Sequence, residues 1–182
     1  MDRPGLVHKS AMKKLTFLLA ILLLPLHPAQ AGPTLDADGY SYLQNLSPIG
    51  DSDIRPLSGK PLVVAFFASW CPPCTAEFRE LNRLQAKRGP QEVNILAINL
   101  FEDFFPDPAG KRLARFLART KPQFPLFSSS GKPGLTALFG KIERIPSVLI
   151  FDQTGKNVYR FIHEEGAAKQ HSNMEEMLNN LR

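Results

Sequence analysis

The sequence predicts an α/β fold in which a mixed sheet is covered by helices on both faces. Two continuous apolar runs, residues 62–67 and 93–100, are rich in β-branched and aromatic residues and predict strands buried on both sides. An amphipathic segment separates them, which is typical of a right-handed βαβ unit. A third apolar run at 148–152 is followed by turn residues and a further strand pattern, so an antiparallel hairpin completes a mixed sheet.

The first half of the domain is predicted to contain a short strand, from a weak pattern, and a helix, from a strong one. Residues 32–60 are polar and interrupted by Gly, Pro and Ser, and within them 40–46 is predicted as a short strand. After the first apolar strand, a helix is predicted to begin at or just after Cys71, because Pro72 suits a first helical position that needs no N–H. A Gly-Pro pair at 89–90 ends this helix. Its buried stripe consists of Phe78, Leu81 and Leu84.

The second half alternates between helices and strands. The predicted elements are a helix at 111–119, a short strand at 124–127, a short helix at 134–139, strands at 148–152 and 157–162, and a helix at 173–181. Residues 101–108 are predicted as a loop. The basic residues Lys111, Arg112 and Arg115 alternate with apolar ones, which predicts the solvated face of a helix.

Composition and charge are those of an ordinary soluble domain. The chain has 182 residues, of which 43% are hydrophobic and 21% charged, as in ordinary soluble globular domains. The formal net charge is +5, but residues 1–31 hold four of the 22 basic residues and one of the 17 acidic ones, which leaves +2 for the remainder. This balance gives no reason to expect a nucleic-acid partner.

Residues 1–31 have the pattern of an export signal. A lysine pair at 13–14 precedes an apolar run at 15–26, and the small-x-small sequence at 29–31 suits a signal peptidase. The apolar run is shorter than the roughly 20 residues that a membrane-spanning helix needs. We therefore expect a signal peptide at 1–31, a domain at 32–182 and a periplasmic location. An uncleaved membrane anchor is the alternative.

Cys71 and Cys74 are the two cysteines of the chain. A disulfide that closes so short a loop gains little as a structural crosslink, so the pair is predicted to be chemically active. A zinc site needs about four ligands, and after removal of 1–31 only His163 and His171 remain as imidazoles. We expect neither a metal nor another cofactor.

The predicted helix start assigns different tasks to the two cysteines. The attacking species is a thiolate, and the partial positive charge of a helix N-terminus acidifies a cysteine there. Cys71 is therefore predicted to be the exposed nucleophile and Cys74 the shielded resolving thiol. Pro72 and Pro73 have no N–H to donate to a Cys71 thiolate, which predicts a reducing pair, nearer about −270 mV than about −120 mV.

Residues 67–74 (FASWCPPC) resemble the active-site segment of thioredoxin-fold proteins, and they are most similar to the exported TlpA-like branch, which includes reductases of cytochrome c maturation. Residues 57–61 (LSGKP) and 145–155 (IPSVLIFDQTG) carry the same resemblance, which covers about 50–182. It implies a thioredoxin-like three-layer α/β/α sandwich with a mixed central sheet, a TlpA-type N-terminal extension and a central insertion.

The resemblance also implies roles around the cysteine pair. Pro146 would be cis and pack against the sulfurs, and the backbone of Ile145 would pair with an incoming peptide like an added strand. The alternative, which the residues alone favour, is a trans proline that starts a strand. Trp70 would shield Cys71 and, with Pro72 and Pro73, contact the substrate. The alternative role for Trp70 is surface packing.

A proton acceptor is also expected. Many thioredoxins hold a buried Asp where this chain has Ala65. The resemblance points instead to Glu102, as a partly buried carboxylate with a raised pKa that takes the proton from Cys74. The alternative for Glu102 is a solvated loop acid, as for its neighbour Asp103.

The leading functional prediction is a monomeric extracytoplasmic reductase. Its substrates would be protein disulfides or cysteine pairs in apocytochrome c or other metalloprotein precursors, and a membrane-bound thiol electron donor would keep it reduced. A disulfide-introducing oxidase or isomerase is the first alternative, and the redox potential distinguishes the two directions. A Cu(I)-delivery module is the second, since soft thiolates suit Cu(I), but no Met or His lies close to the pair in sequence.

Overall fold

Six strands and five α-helices make up the described part of the chain, residues 33–53, 56–129 and 134–181 of a computed structural model. The strands are β1 (Ser47–Pro48), β2 (Leu62–Phe67), β3 (Asn94–Asn99), β4 (Leu126–Ser128), β5 (Ser147–Phe151) and β6 (Asn157–Ile162). The helices are α1 (Ala37–Gln44), α2 (Cys74–Arg88), α3 (Lys111–Thr120), α4 (Leu135–Phe139) and α5 (Met174–Asn180). A 3₁₀ turn, Glu102–Phe104, follows β3. The predicted signal peptide at 1–31 lies outside the described residues.

The six strands form one mixed sheet in the order β1-β4-β3-β2-β5-β6. Strand β2 runs parallel to β3 and antiparallel to β5, with Val64 opposite both Leu96 and Leu149. The β5–β6 pair is the predicted antiparallel hairpin. Every residue of β2, β3 and β5 is buried, as their continuous apolar runs predict for strands covered on both faces.

Two aromatic clusters hold helices against opposite faces of this sheet. Successive strand residues point to opposite sides, so the neighbours Phe66 and Phe67 of β2 enter different clusters. The ring of Phe67 lies 4.7 Å from Phe78 of α2 and 5.4 Å from Phe116 of α3. The ring of Phe66 lies 5.2 Å from Phe139 of α4 on the other face. The α/β/α layering of the predicted thioredoxin-like fold is therefore confirmed.

The prediction of a strand at 40–46 is wrong, because most of this segment belongs to helix α1. Asp36 caps the helix, since its side chain accepts a hydrogen bond from the Gly39 N–H at 2.9 Å. Gly39 and Leu43 are buried and stand four residues apart, which is helical spacing. The two-residue strand β1 follows this helix, at Ser47–Pro48.

The sequence predicts that helix α2 begins at or just after Cys71. In the structure it begins three residues later, at Cys74. A proline disfavours helical backbone at the residue before it, so Cys71 and Pro72 both stay outside the helix. The Cys71 N–H donates to the Ala68 carbonyl at 3.2 Å, and the Thr75 N–H to that of Pro72 at 3.2 Å. The two prolines thus form a turn that joins β2 to the helix.

The other predicted elements are found within a few residues of their expected bounds. Helices α3, α4 and α5 and strands β3, β4 and β5 correspond to the segments predicted for them. The predicted loop at 101–108 contains the 3₁₀ turn. The domain bounds 32–182 stay a prediction.

Candidate active site

The strand directions bring three loops to one edge of the sheet. Because β2 and β3 are parallel, the residues that follow each of them lie at the same edge. Because β5 is antiparallel to β2, the residues that precede it reach that edge too, with Ser147 opposite Phe66. The cysteine turn, the segment at 100–105 and the segment at 145–146 therefore meet there.

Cys71 and Cys74 form a disulfide at the start of α2, with their Cα atoms 5.4 Å apart. Cys71 is 3% exposed and Cys74 is fully buried. The expectation of an exposed Cys71 is therefore wrong for this oxidised state, although Cys71 remains the more accessible of the two. Pro72, between them, is exposed, and Pro73 is half-buried.

The Ile145–Pro146 peptide bond is cis, as the family resemblance implies. Pro146 immediately precedes β5, and its carbonyl accepts a hydrogen bond from the His163 N–H at 3.0 Å, just after β6. The side chain of Ile145 is 6% exposed. The sheet register brings this bond to the edge where the disulfide lies.

Trp70 connects the cysteine turn to the segment that follows β3. Its indole N–H donates to the Phe101 carbonyl at 2.8 Å. The ring lies 5.0 Å from that of Phe105 and stacks at 6.4 Å on that of Phe104. Phe104 is 67% exposed and Phe105 is 55% exposed, so an open aromatic surface adjoins the residue before Cys71. These two phenylalanines are not among the site residues predicted from the sequence.

Glu102 binds the cysteine turn from the neighbouring loop. One carboxylate oxygen accepts from the Ser69 N–H at 2.8 Å and from Asn99 Nδ2 at 2.8 Å, and the other accepts from the Ser69 hydroxyl. Partial burial alone would raise the pKa of Glu102, but the hydrogen bonds from Ser69, Asn99 and Arg112 outweigh it, so the pKa is lowered. The expectation of a raised pKa is wrong. Asp103 is exposed.

Arg112 departs from the solvated face predicted for it, whereas Lys111 and Arg115 are exposed as expected. Its guanidinium donates to the Ser69 hydroxyl at 2.9 Å and to Glu102 at 3.1 Å, and it also binds the carbonyl of Phe105. Arg112 therefore ties the cysteine turn to the aromatic segment. A pattern of alternating charge cannot reveal this contact, because its partners lie on other elements.

Glu77 is a buried acid that is not among the site residues predicted from the sequence. It is 1% exposed and lies three residues after Cys74 on α2. Burial raises the pKa of Glu77 to about 7, against the opposing effect of hydrogen bonds from Ser172. A carboxyl group with this pKa exchanges protons readily at neutral pH.

A signal for Glu77 was present in the sequence. Residues three apart on a helix share a face, so an acid at this spacing lies on the same side as Cys74. Phe78 and Leu81, which are fully buried, border that position. What the spacing does not show is whether the acid reaches water.

The described residues contain neither a candidate metal site nor a candidate membrane span. No group of three or more His, Cys, Asp or Glu side chains in 33–53, 56–129 and 134–181 could hold a metal ion. No helix of that same part of the chain is long and apolar enough to cross a membrane.

Comparison with known proteins gives one family and several curated relatives. The family model described as Redoxin matches residues 44–178. Thiol-disulfide oxidoreductase ResA of Halalkalibacterium halodurans is 28% identical over 118 residues, which cover 65% of this chain and 61% of the relative. ResA of Bacillus cereus is 25% identical over 115 residues, with coverages of 62% and 61%. The matched region thus spans about three-fifths of the length of these relatives.

Solved structures show the same fold at lower identity. StoA of Bacillus subtilis matches with a TM-score of 0.57 at 21% identity, over 75% of this chain and 94% of StoA. A secreted disulfide oxidoreductase of Mycobacterium tuberculosis, homologous to DsbE of Escherichia coli, matches with a TM-score of 0.58 at 17% identity, over 78% and 96%. The thioredoxin-like fold is common to them and to this chain.

Proposed function

Because this chain belongs to the Redoxin family, we propose that it is a thiol–disulfide oxidoreductase that cycles Cys71 and Cys74 between dithiol and disulfide. The observation that carries the proposal is the disulfide at the start of α2, at the same sheet edge as cis Pro146. Buried Glu77 lies one helical turn beyond Cys74. The curated relatives are named for this activity.

The reaction transfers two electrons to a client disulfide. The Cys71 thiolate attacks one client sulfur, which breaks the client S–S bond, forms a mixed disulfide and releases one client thiolate. The Cys74 thiolate then attacks Cys71, displaces the second client sulfur and forms the Cys71–Cys74 disulfide. The client is reduced to two thiols and the enzyme is oxidised.

Glu77 supplies the proton transfer that the second step needs. Cys74 is fully buried, so its thiol cannot lose a proton directly to bulk water. The Glu77 carboxylate accepts this proton, because its pKa of about 7 leaves a large fraction ionised at neutral pH. The proton finally passes to a departing client thiolate. Glu102, whose pKa is lowered, instead positions the cysteine turn through Ser69.

Client contacts are proposed at the surface around the disulfide. The Ile145 backbone before cis Pro146 would pair with an extended client segment, as in strand addition. Pro72 is exposed beside Cys71, and Pro73 and Trp70 are half-buried next to it. These residues would contact the client on either side of its cysteine.

The proposed direction is reduction. Pro72 and Pro73 offer no N–H to a Cys71 thiolate, so the reduced form lacks two donors that would make the pair oxidising. The resemblance to the cytochrome c maturation branch supports oxidised cysteine pairs of apocytochrome c or other metalloprotein precursors as clients. It also supports an extracytoplasmic location and a membrane-bound thiol donor. Equilibration with glutathione tests the direction: a potential near about −120 mV would identify an oxidant.

A trapping experiment tests the activity with a defined probe. The probe is an oxidised peptide with the Cys-x-x-Cys-His spacing of c-type haem attachment. The reduced wild type should convert it to the dithiol. Reduced Cys74→Ala should stop at a mixed disulfide, seen by mass spectrometry as one peptide bound to Cys71.

Cys71→Ala is the matched control, since it keeps one thiol on the same turn. It should form far less adduct because Cys74 is buried. Equal adduct on both variants, or an inert reduced wild type, would contradict the proposed function.

A further inference from the structure

The carboxylate of Glu77 is held by a residue near the other end of the domain. Ser172 lies between β6 and α5 and is fully buried. Its backbone N–H donates to Glu77 Oε2 at 2.8 Å, and its hydroxyl donates to Oε1 at 2.5 Å. Each carboxylate oxygen thus receives one hydrogen bond from the same residue, 95 positions along the chain.

From this geometry we propose that Ser172 is the positioning residue of Glu77: its paired donors hold the ionised carboxylate in place and set the pH range in which it can accept the Cys74 proton. The inference rests on the proposed function for its catalytic meaning. The contact itself does not depend on it.

The physical reason is that both donors favour one protonation state. An ionised carboxylate accepts a hydrogen bond at each oxygen, whereas a protonated one becomes a donor at one of them and competes with the Ser172 donor there. Buried charge is unfavourable unless such bonds compensate it. Without the hydroxyl of Ser172, Glu77 would therefore stay protonated over more of the neutral range and accept the Cys74 proton less often.

Other titratable groups face the same carboxylate. Glu80 lies further along α2 and favours the protonated form of Glu77, and His171, next to Ser172, favours the ionised form. Tyr159 of β6 also faces Glu77, and its hydroxyl donates to Glu176 of α5 at 2.9 Å. In the described part of the chain, both hydrogen bonds to the Glu77 carboxylate come from Ser172.

Titration of the intact domain tests the inference without any assay of activity. The side-chain carboxyl carbon of Glu77 is followed by ¹³C NMR and assigned through its loss in Glu77→Gln. Ser172→Ala should move the Glu77 midpoint upward by about one pH unit, the usual effect of losing one hydrogen bond to a charged group. The pH profile of alkylation of the reduced cysteines should move in the same direction.

Two controls separate positioning from general structural damage. Thr120→Val removes another buried hydroxyl, which donates to the Phe116 carbonyl within α3 at 2.8 Å, and should leave the Glu77 midpoint unchanged. In a Glu77→Gln background, Ser172→Ala should cause no further shift in the alkylation profile, because Ser172 acts through Glu77. A second shift of equal size would overturn the proposal.

A wild-type measurement covers the case in which Ser172→Ala does not fold. The Ser172 amide proton donates to Glu77, so its chemical shift should titrate with the same midpoint as the carboxyl carbon. An amide signal that stays flat across the Glu77 titration would overturn the inference. If the oxidised peptide is not reduced by the wild type while these titrations behave as expected, the proposed function fails and the positioning of Glu77 stands.

Discussion

At the level of single residues, two carboxylates near the disulfide differ in protonation because their surroundings differ. Glu77 is buried with one neutral residue donating to it, and its pKa is raised to about 7. Glu102 is only partly buried, and Arg112, Asn99 and Ser69 all donate to it, so its pKa is lowered. A proton acceptor needs a raised pKa, which burial gives Glu77. A carboxylate that stays ionised as an anchor needs a lowered pKa, which the hydrogen bonds give Glu102.

We expect Glu102→Gln to destabilise the protein at neutral pH by about 1–3 kcal/mol, because a neutral amide replaces an ionised acceptor that binds Ser69 and Arg112. The lowered pKa makes this contribution fully present above the ordinary range of a glutamate and lost as the pH falls through the lowered value. Urea unfolding at pH 7 and at decreasing pH measures both effects.

Glu92→Gln is the matched control for Glu102→Gln. Glu92 is also paired with an arginine, Arg88 at 3.0 Å, but its side chain is 59% exposed. An exposed pair contributes at most about 1 kcal/mol. Equal losses of stability in the two variants at pH 7 would contradict the anchoring role of Glu102.

At the level of elements, the β5–β6 turn shows how a hairpin is joined to the N-terminal segment. Gly155 has a φ of +83°, and its carbonyl accepts from the Leu35 N–H at 2.8 Å. A Cβ at this position would stand 2.0 Å from the Leu35 carbonyl oxygen. The approach of two backbones therefore requires glycine here.

Gly155→Ala should lower the free energy of unfolding by more than about 3 kcal/mol, since a positive φ and a backbone clash act together. Gly166→Ala is the control, because Gly166 also has a positive φ, +75°, but nothing lies within 4 Å of the added Cβ. Gly166→Ala should lower the free energy of unfolding by about 1–2 kcal/mol, the effect of the positive φ alone. Chemical denaturation measures both, and similar losses would show that Leu35 moves away freely.

For the whole molecule, the two aromatic clusters join both helical layers to one central strand. Phe116 on one face and Phe139 on the other are fully buried, and they contact the neighbouring β2 residues Phe67 and Phe66. Because the two faces share β2, loosening either cluster affects the same strand. The described domain is therefore expected to unfold as one unit.

Phe116→Ala and Phe139→Ala should each lower the free energy of unfolding by about 3–5 kcal/mol, as usual for a large core truncation. Far-UV and near-UV circular dichroism should report coincident transitions in both variants. Phe104→Ala, at a ring that is 67% exposed, is the control and should change stability by less than about 0.5 kcal/mol. Transitions that separate between the probes would show that the two faces unfold independently.

Several features of this chain can be predicted from local sequence pattern. Strand β2 and the turn of Cys71 are read from a continuous apolar run and a proline-containing motif, and the cis bond before Pro146 from family resemblance. The apolar run and the proline-containing motif need only neighbouring residues to be recognised, whereas the residues alone favour a trans Pro146. The prediction from local pattern was wrong for α1. A strand was predicted at 40–46, but the segment is helical and Asp36 caps it.

The protonation states and hydrogen-bond partners of the site residues depend on contacts between distant parts of the folded chain. The hydrogen bonds to Glu77 come from Ser172, 95 residues away, and Arg112 reaches Ser69 across 43 residues. A carboxyl group has an altered pKa because of what surrounds it in space, and spacing along one helix does not report whether water, a serine or an arginine stands opposite. For that physical reason the sequence alone assigned the raised pKa to Glu102, whereas the folded chain assigns it to Glu77.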